Sequence, residues 1–200
     1  MKVVLASASE RRQELLKRIV DDFHIIVSNF NEDEVKLKSS VSDYVKELSL
    51  GKAKDVADKV KEPSVIIGVD TIVTINNKIL GKPKDKDDAF NMLSELSGNV
   101  HKVYSGIAII NTKTNEIMQD FLCTEVKFST LTEEEIREYI ESKEPLDKAG
   151  AYGIQGYGAL LVEEIQGDYF NIVGLPISRL SDLLKKYFNI NLFMEGDVSE

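Results

Sequence analysis

The chain has 200 residues, which is enough for one large domain with a sizeable core or for two small lobes that share a sheet. Its 25 Lys and Arg residues against 34 Asp and Glu residues give a formal net charge of -9, which argues against polymeric nucleic acid and anionic membranes as partners. With Cys123 as the single cysteine, neither an intramolecular disulfide nor a cysteine-rich metal site is expected. No apolar run reaches the length of a membrane span or a signal peptide, so we predict a cytoplasmic protein.

Hydrophobic periodicity predicts strands and helices along most of the chain. The predicted strands cover residues 2–6, 23–28, 64–75, 78–80, 100–110, 117–128 and 159–165, and Asn76 and Asn77 predict a hairpin turn between the third and fourth of them. The predicted helices begin at Arg11 and after Ser42, and further helices cover residues 85–96, 132–142 and 176–188. This order predicts an α/β fold with a mixed central sheet flanked by helices.

Local signals refine these boundaries. Ser9 is placed to cap the first helix, and Gly51 is expected to interrupt the second. Thr132, with Glu135 three residues later, predicts a capping box. We predict a single domain over residues 1–188, followed by a loosely ordered tail over 189–200 because that segment has no hydrophobic period.

The segment from Ser7 to Arg12 lies between the first strand and the first helix. Backbone N–H groups at a helix start attract anions, and the hydroxyls of Ser7 and Ser9 and the guanidiniums of Arg11 and Arg12 add donors. The segment therefore predicts a phosphate-binding site without a glycine-rich loop. A serine cap followed by solvated arginines explains the same residues equally well.

Asp70 falls within the run of Val and Ile residues predicted as a central strand. Burying an uncompensated carboxylate costs several kcal/mol, so Asp70 should be paired, metal-bound or catalytic. A structural hydrogen bond to a neighbouring turn is the alternative.

Two lysines and an acidic loop complete the candidates for phosphate chemistry. Lys82 lies in a rigid turn between Gly81 and Pro83, whereas Lys52 is in a predicted helix, and either alone is more often solvated than catalytic. Together with the arginines they would form the basic pocket that a polyphosphate needs. A carboxylate from the acidic loop, residues 31–34, could join Asp70 in binding Mg²⁺, although such loops are usually solvated surface.

The glycine-rich segment 148–156 matches neither a dinucleotide-binding nor a kinase signature. Its glycines permit close backbone approach, Tyr152 offers a stacking face, and the Gln155 amide both donates and accepts hydrogen bonds. These properties suit recognition of a base, and a plain turn is the alternative. His24 and His101 lie in predicted strands and are expected to be structural.

Four segments, taken together, resemble the Maf family of nucleoside triphosphate pyrophosphatases. They are residues 5–12 (LASASERR), 67–71 (IGVDT), 80–83 (LGKP) and 147–156 (DKAGAYGIQG). The resemblance covers nearly the whole chain, and the four segments as a set are highly specific. The family usually has Pro at the position of Glu10, so the rigidity of that turn differs here.

The resemblance implies a two-lobed fold like that of inosine triphosphate pyrophosphatases, with the site in a central cleft. It implies hydrolysis between the α and β phosphates with a divalent metal, Mg²⁺ or Mn²⁺, and a homodimer. Arg11, Thr71 and Gln155 match the branch that acts on dTTP and UTP, whereas the branch acting on 7-methyl-GTP typically replaces them. It also suggests action on modified pyrimidine triphosphates, a house-cleaning role and a link to septum inhibition.

On this basis Asp70 accepts a proton from the attacking water or binds the metal that activates it. Lys52, Lys82 and Arg12 neutralise the phosphates, and Glu32 is the second metal or water ligand, with Asp33 as its rival. Thr71 and Gln155 would read the pyrimidine edge.

Two other functions use the same residues. One is a nucleotide-binding regulator of cell division with little turnover, which Asp70, Lys52 and Lys82 argue against because binding alone does not require an acid beside phosphates. The other is a phosphatase or nucleotidyltransferase, which would release orthophosphate or form an adduct instead of releasing pyrophosphate.

Overall fold

The computed structural model describes residues 1–37 and 39–194 and has an α/β fold built on one seven-stranded sheet. The strands are β1 (Lys2–Leu5), β2 (His24–Ile25), β3 (Ser64–Ile75), β4 (Lys78–Leu80), β5 (Val100–Asn111), β6 (Glu116–Phe128) and β7 (Val162–Gln166). Their order is β2-β1-β3-β5-β6-β7, and β4 pairs with β3. The β1–β2 and β1–β3 pairs are parallel, whereas β3–β4 and β6–β7 are antiparallel, so the predicted mixed sheet is confirmed.

The helices are α1 (Glu10–Lys17), α2 (Val41–Ala57), α3 (Lys86–Leu96), α4 (Glu133–Glu141), α5 (Tyr169–Val173) and α6 (Ile177–Phe188). Short 3₁₀ turns occupy Glu32–Glu34, Glu144–Asp147, Ala149–Ala151, Tyr157–Leu161 and Leu192–Met194. In the part of the chain that the structure describes, no helix is both long enough and apolar enough to cross a membrane.

The chain divides into two compact units. The first contains residues 1–70, 105–122 and those from 174 onward, and the second contains residues 71–104 and 123–173. The single domain predicted over 1–188 stays a prediction. Of the predicted tail, residues 195–200 lie outside the described residues.

The core of the first unit lies around β1 and the first half of β3. β3 is apolar and buried from Val65 to Ile67, as expected for a strand covered on both faces. Helix α2 packs on it very closely. A Cβ at Gly68 would collide with the carbonyl oxygen of Ser49 and lie 2.8 Å from the backbone nitrogen of Ala53. This close packing holds α2 against the strand two residues before Asp70.

The predicted interruption of α2 at Gly51 is wrong, because the helix continues through it. The ring of Phe30 occupies the space that a Cβ at Gly51 would need. The missing side chain at Gly51 therefore makes room for the Phe30 ring. The roughly 1 kcal/mol by which a glycine destabilises a helix is tolerated in this tertiary context.

Several predicted signals of the second unit are confirmed. Asn76 and Asn77, with φ of 50° and 63°, form the two-residue turn of the β3–β4 hairpin. The Thr132–Glu135 capping box starts α4 with both reciprocal hydrogen bonds. The helix predicted over 85–96 is α3, although Asp85 lies at its N-cap, where its side chain accepts a hydrogen bond from the Asp88 backbone.

Three elements differ from prediction. β2 is limited to two residues, paired with Val4 and Leu5 of β1. The strand predicted from Ala159 begins only at Val162, where pairing with Phe128 starts beside a register shift, and the preceding residues form a 3₁₀ turn. Helix α5 was not predicted, although Asp168 signals it by accepting hydrogen bonds from the backbone of the following residues.

Candidate active site

Asp70 lies on β3, is the last residue of its segment in the first unit, and is buried. Nζ of Lys52, from α2, is 2.5 Å from Asp70 Oδ1, and the two side chains are 9% and 14% exposed. Burial raises the pKa of Asp70, while the charges of Lys52 and Arg12 oppose that shift. The prediction that Asp70 must be compensated is therefore confirmed, with Lys52 as the partner.

Glu32 is the second carboxylate on the same ammonium. Its Oε1 lies 2.7 Å from Lys52 Nζ, and its side chain is 55% exposed. It begins a 3₁₀ turn capped by Asn31, whose side chain accepts a hydrogen bond from the Asp33 backbone. Of the two rivals in this loop, Glu32 is the one that contacts Lys52.

Arg12 on α1 is anchored rather than solvated. Its Nε donates to the Gly174 carbonyl at 2.8 Å, and Nη1 donates to Ser7 Oγ at 3.4 Å. Burial lowers the pKa of Arg12, and the negative charges of Asp70 and Glu32 oppose the shift. This guanidinium is therefore held where two acidic groups of the site influence it.

Ser7 and Ser9 do not form the simple helix cap that the sequence predicts. Ser9 stands at the N-cap position of α1, but its hydroxyl makes no capping bond, so that part of the prediction is wrong. Its backbone N–H instead donates to Ser7 Oγ at 3.2 Å, because the turn folds back on the buried Ser7. Arg11 is half-buried on the first turn of α1.

Tyr44 is not among the site residues that the sequence predicts. It is half-buried on α2, and its pKa is raised by burial first and then by the charges of Asp70 and Glu32. Tyr44 and Lys52 are eight residues apart, close to two helical turns, which places both on one face of α2. That spacing is the signal that could have identified Tyr44.

The remaining candidates, Thr71, Lys82 and Gln155, belong to the second unit. Thr71 directly follows Asp70 on β3 and is half-buried. Lys82 and Gln155 are both exposed. The carbonyl of Gly81, beside Lys82, accepts a hydrogen bond from the Gly150 N–H at 3.0 Å, which ties this turn to the glycine-rich segment.

The predicted stacking face of Tyr152 is wrong. Its ring is buried against Phe128 and His101 in edge-to-face contacts, with centroids 4.8 and 5.3 Å apart. Its hydroxyl shares a 2.8 Å hydrogen bond with His101 Nε2. Because this ring is buried in the core, Tyr152 does not present a face to a base. Burial also lowers the pKa of His101 to about 4.

The predicted metal ligands, Asp70 and Glu32, fit a hard divalent cation in chemistry and number. Mg²⁺ is commonly held by one or two carboxylates together with substrate phosphates. Both carboxylates reach the same ammonium of Lys52, so their oxygens converge on one place. Within residues 1–37 and 39–194, no group of three or more His, Cys, Asp or Glu side chains is arranged to hold a metal ion.

The family described as Maf-like protein matches residues 2–187. The chain belongs to this family.

Similar proteins include two named dTTP/UTP pyrophosphatase. The one from Clostridium novyi is 64% identical over 180 residues, covering 90% of this chain and 94% of the relative. One from Clostridium botulinum is 58% identical over 186 residues, covering 93% and 99%. Among solved structures, a HAM1 protein from Coxiella burnetii matches with a TM-score of 0.49 and 16% identity, covering 93% of this chain and 99% of that one. The Ham1 protein of Staphylococcus aureus matches with a TM-score of 0.42 and 14% identity, covering 64% and 72%.

Proposed function

We propose that this protein is an enzyme, a nucleoside triphosphate pyrophosphatase that hydrolyses dTTP and UTP to the monophosphate and pyrophosphate. Relatives bearing that name are similar over nine-tenths or more of the chain. The observation that carries the proposal is the buried Asp70 paired with Lys52, which also contacts Glu32. A simple binding protein for phosphates has no need of a buried carboxylate at that position.

In the proposed reaction, water attacks the α-phosphorus and the bond from that phosphorus to the α–β bridging oxygen breaks. Pyrophosphate leaves with the bridging oxygen, and the proton of the water passes to Asp70. Burial favours this role, since a carboxylate with a raised pKa is a better proton acceptor than an exposed one. Lys52, Lys82 and Arg12 bind phosphate oxygens and offset their negative charge.

Asp70 and Glu32 are the residues that would hold Mg²⁺ or Mn²⁺. When bound, such a cation supplies charge neutralisation on the phosphate oxygens and lowers the pKa of a coordinated water. The hydroxyls of Ser7 and Ser9 add donors for the phosphates, and Ser7 Oγ accepts hydrogen bonds from Arg12 and from the Ser9 N–H.

Selectivity for the base is assigned to Arg11, Thr71 and Gln155. Thr71 and Gln155 carry groups that can both donate and accept, as the N3–H and O4 edge shared by uracil and thymine requires. When these groups are held in the orientation that matches uracil, a cytosine or purine leaves them unpaired, which penalises the wrong base. We further propose a cytoplasmic homodimer that does not bind nucleic acid polymers.

The decisive experiment incubates the purified protein with dTTP, UTP, CTP, GTP and 7-methyl-GTP, each with Mg²⁺ or Mn²⁺, and identifies the products. We expect pyrophosphate and monophosphate from dTTP and UTP in preference to the other three. Preferential cleavage of 7-methyl-GTP would overturn the assignment to pyrimidines. Release of orthophosphate would indicate a phosphatase, and nucleotide binding without product would indicate a regulator.

A further inference from the structure

The carboxylate of Glu144 accepts three hydrogen bonds that the proposed reaction does not use. Oε1 accepts from the Tyr139 hydroxyl at 2.9 Å and from the Gly158 N–H at 3.1 Å. Oε2 accepts from the Tyr157 N–H at 2.9 Å. One carboxylate therefore holds the end of the segment 153–158, which we call the glycine loop.

The start of the glycine loop is tied to the same pair of side chains. The Gly153 N–H donates to the Tyr139 hydroxyl at 3.1 Å, and that hydroxyl in turn donates to Glu144. Tyr139 is buried in the last turn of α4, so its position is set by core packing. Both ends of the loop thus depend on the Tyr139–Glu144 pair.

The local sequence explains why Glu144 turns toward the loop. Lys143 adopts a left-handed conformation with φ of 63°, and Pro145 lies in the first turn of the 3₁₀ helix that follows. The chain therefore reverses directly after α4. Lys148 secures this turn by donating from Nζ to the Glu144 carbonyl at 2.8 Å.

The glycines of the loop permit its close approach to these side chains. A Cβ at Gly156 would collide with Oε2 of Glu144, and one at Gly158 would lie 2.8 Å from the Tyr139 hydroxyl. A Cβ at Gly153 would lie 2.6 Å from Cε of Lys148. The close contacts that require glycine here are therefore made within the second unit.

Gln155 lies between the two anchored ends and is exposed, whereas its neighbour Ile154 is buried. The backbone on either side of this exposed side chain is held, so the point from which the Gln155 amide reaches a ligand is fixed before binding, and little backbone freedom remains to be lost. The orientation matters chemically, since a carboxamide rotated by half a turn matches cytosine as well as it matches uracil. A displaced backbone would remove that discrimination.

We propose that Glu144 is a positioning residue for selectivity, which holds the glycine loop so that Gln155 presents its amide to the pyrimidine edge. This inference rests on the proposed function, because Gln155 is assigned there to the base. Glu144 itself touches neither base nor phosphate in this proposal and acts only through the loop.

The first measurement follows the loop without any nucleotide. Amide hydrogen exchange is recorded by NMR for Gly153, Tyr157 and Gly158 in the wild type and in Glu144→Gln. The amide of Gln replaces one acceptor oxygen with a donor, so we expect exchange of the Tyr157 or Gly158 amide to accelerate about tenfold. Glu138→Gln, an exposed position on α4, is the matched control and should leave these rates unchanged.

The second measurement is the ratio of kcat/KM for UTP to that for CTP. We expect Glu144→Gln to lower this ratio about tenfold in the wild-type background. In a Gln155→Ala background the same change should lower the ratio less than about twofold, since both changes affect one interaction. The ratio of the two dissociation constants, measured calorimetrically in EDTA without turnover, should change in parallel. If Glu144→Gln does not fold, Tyr139→Phe is used, which removes one donor to Glu144 and the acceptor of the Gly153 N–H.

Unchanged exchange rates would overturn the proposal, as would an equal loss of selectivity with and without Gln155. Unchanged selectivity despite faster exchange would give Glu144 a purely structural role and would also overturn it. A wild type that binds UTP selectively without releasing pyrophosphate contradicts the proposed function alone, since the binding ratios still test Glu144. A wild type that binds neither nucleotide contradicts both.

Discussion

Lys52 Nζ lies 2.5 Å from Oδ1 of the buried Asp70, so α2 supplies the countercharge for a carboxylate on β3. The same ammonium contacts Glu32 at 2.7 Å, and Arg12 adds a second positive charge that opposes the rise in the pKa of Asp70. These positive charges favour the ionised form of the buried carboxylate.

Replacement of Asp70 by Asn removes the proposed proton acceptor while retaining the side-chain shape. We expect pyrophosphate release from UTP to fall about 10²- to 10⁴-fold. The fold should persist, because Lys52 retains Glu32 as a partner. Activity and thermal unfolding are measured together, with the exposed Asp58→Asn as the control. Turnover near that of the wild type would exclude the role assigned to Asp70.

Lys52→Met removes the nearest positive charge from Asp70. Without it the charged form of Asp70 is less favoured, so its pKa rises further. If ionised Asp70 is the active form, activity declines as pH falls through this pKa, and the acidic limb of the pH–rate profile moves to higher pH. Lys54→Met, on the same helix but exposed, should leave the limb in place. A limb that moves to lower pH, or equally in both variants, contradicts the assignment.

Glu32 and Asp33 are distinguished by parallel neutral substitutions. Glu32→Gln removes the carboxylate that contacts Lys52, and we expect activity to fall about tenfold and the Mg²⁺ concentration for half-maximal rate to rise. Asp33→Asn should be close to wild type in a magnesium titration of UTP hydrolysis. The reverse result would show that Asp33 is the carboxylate used.

We expect the buried His101 to lower the stability of the folded protein in acid. Its pKa is lowered by burial from 6.5 to about 4, so between these values the unfolded chain binds a proton that the folded chain excludes. Stability therefore falls as pH decreases from 6.5 to 4, by about 2 kcal/mol at pH 4.5. Urea unfolding of the wild type and of His101→Phe at pH 7 and pH 4.5 measures this difference.

The Phe variant loses the hydrogen bond to Tyr152 at every pH, so only the change between the two pH values is diagnostic. We expect the wild type to lose about 2 kcal/mol more than His101→Phe over this interval. His24→Gln, at an exposed position on β2, should behave as the wild type does. Equal pH dependence in all three proteins would show that His101 does not titrate between these limits.

Local signals in the sequence predicted much of the fold. The unbroken apolar run around Asp70 predicted a buried strand, and Asn76 and Asn77 predicted its hairpin. These succeed because strand burial and turn conformation depend on side chains within a few residues. The strand predicted from Ala159 starts too early for the converse reason. The residues after Ala159 have the local pattern of a strand, but pairing with β6 begins only at Phe128.

The sequence by itself identified Asp70 as a carboxylate in need of a partner, and it identified the set of cations from which that partner comes. Only the tertiary structure selected Lys52, because that choice depends on how α2 packs against β3 through Gly68. It also placed Glu32 rather than Asp33 on the same ammonium and turned Tyr152 into the core. In each case side chains distant along the chain compete for one space or one charge, and local propensity carries no information about the outcome of that competition.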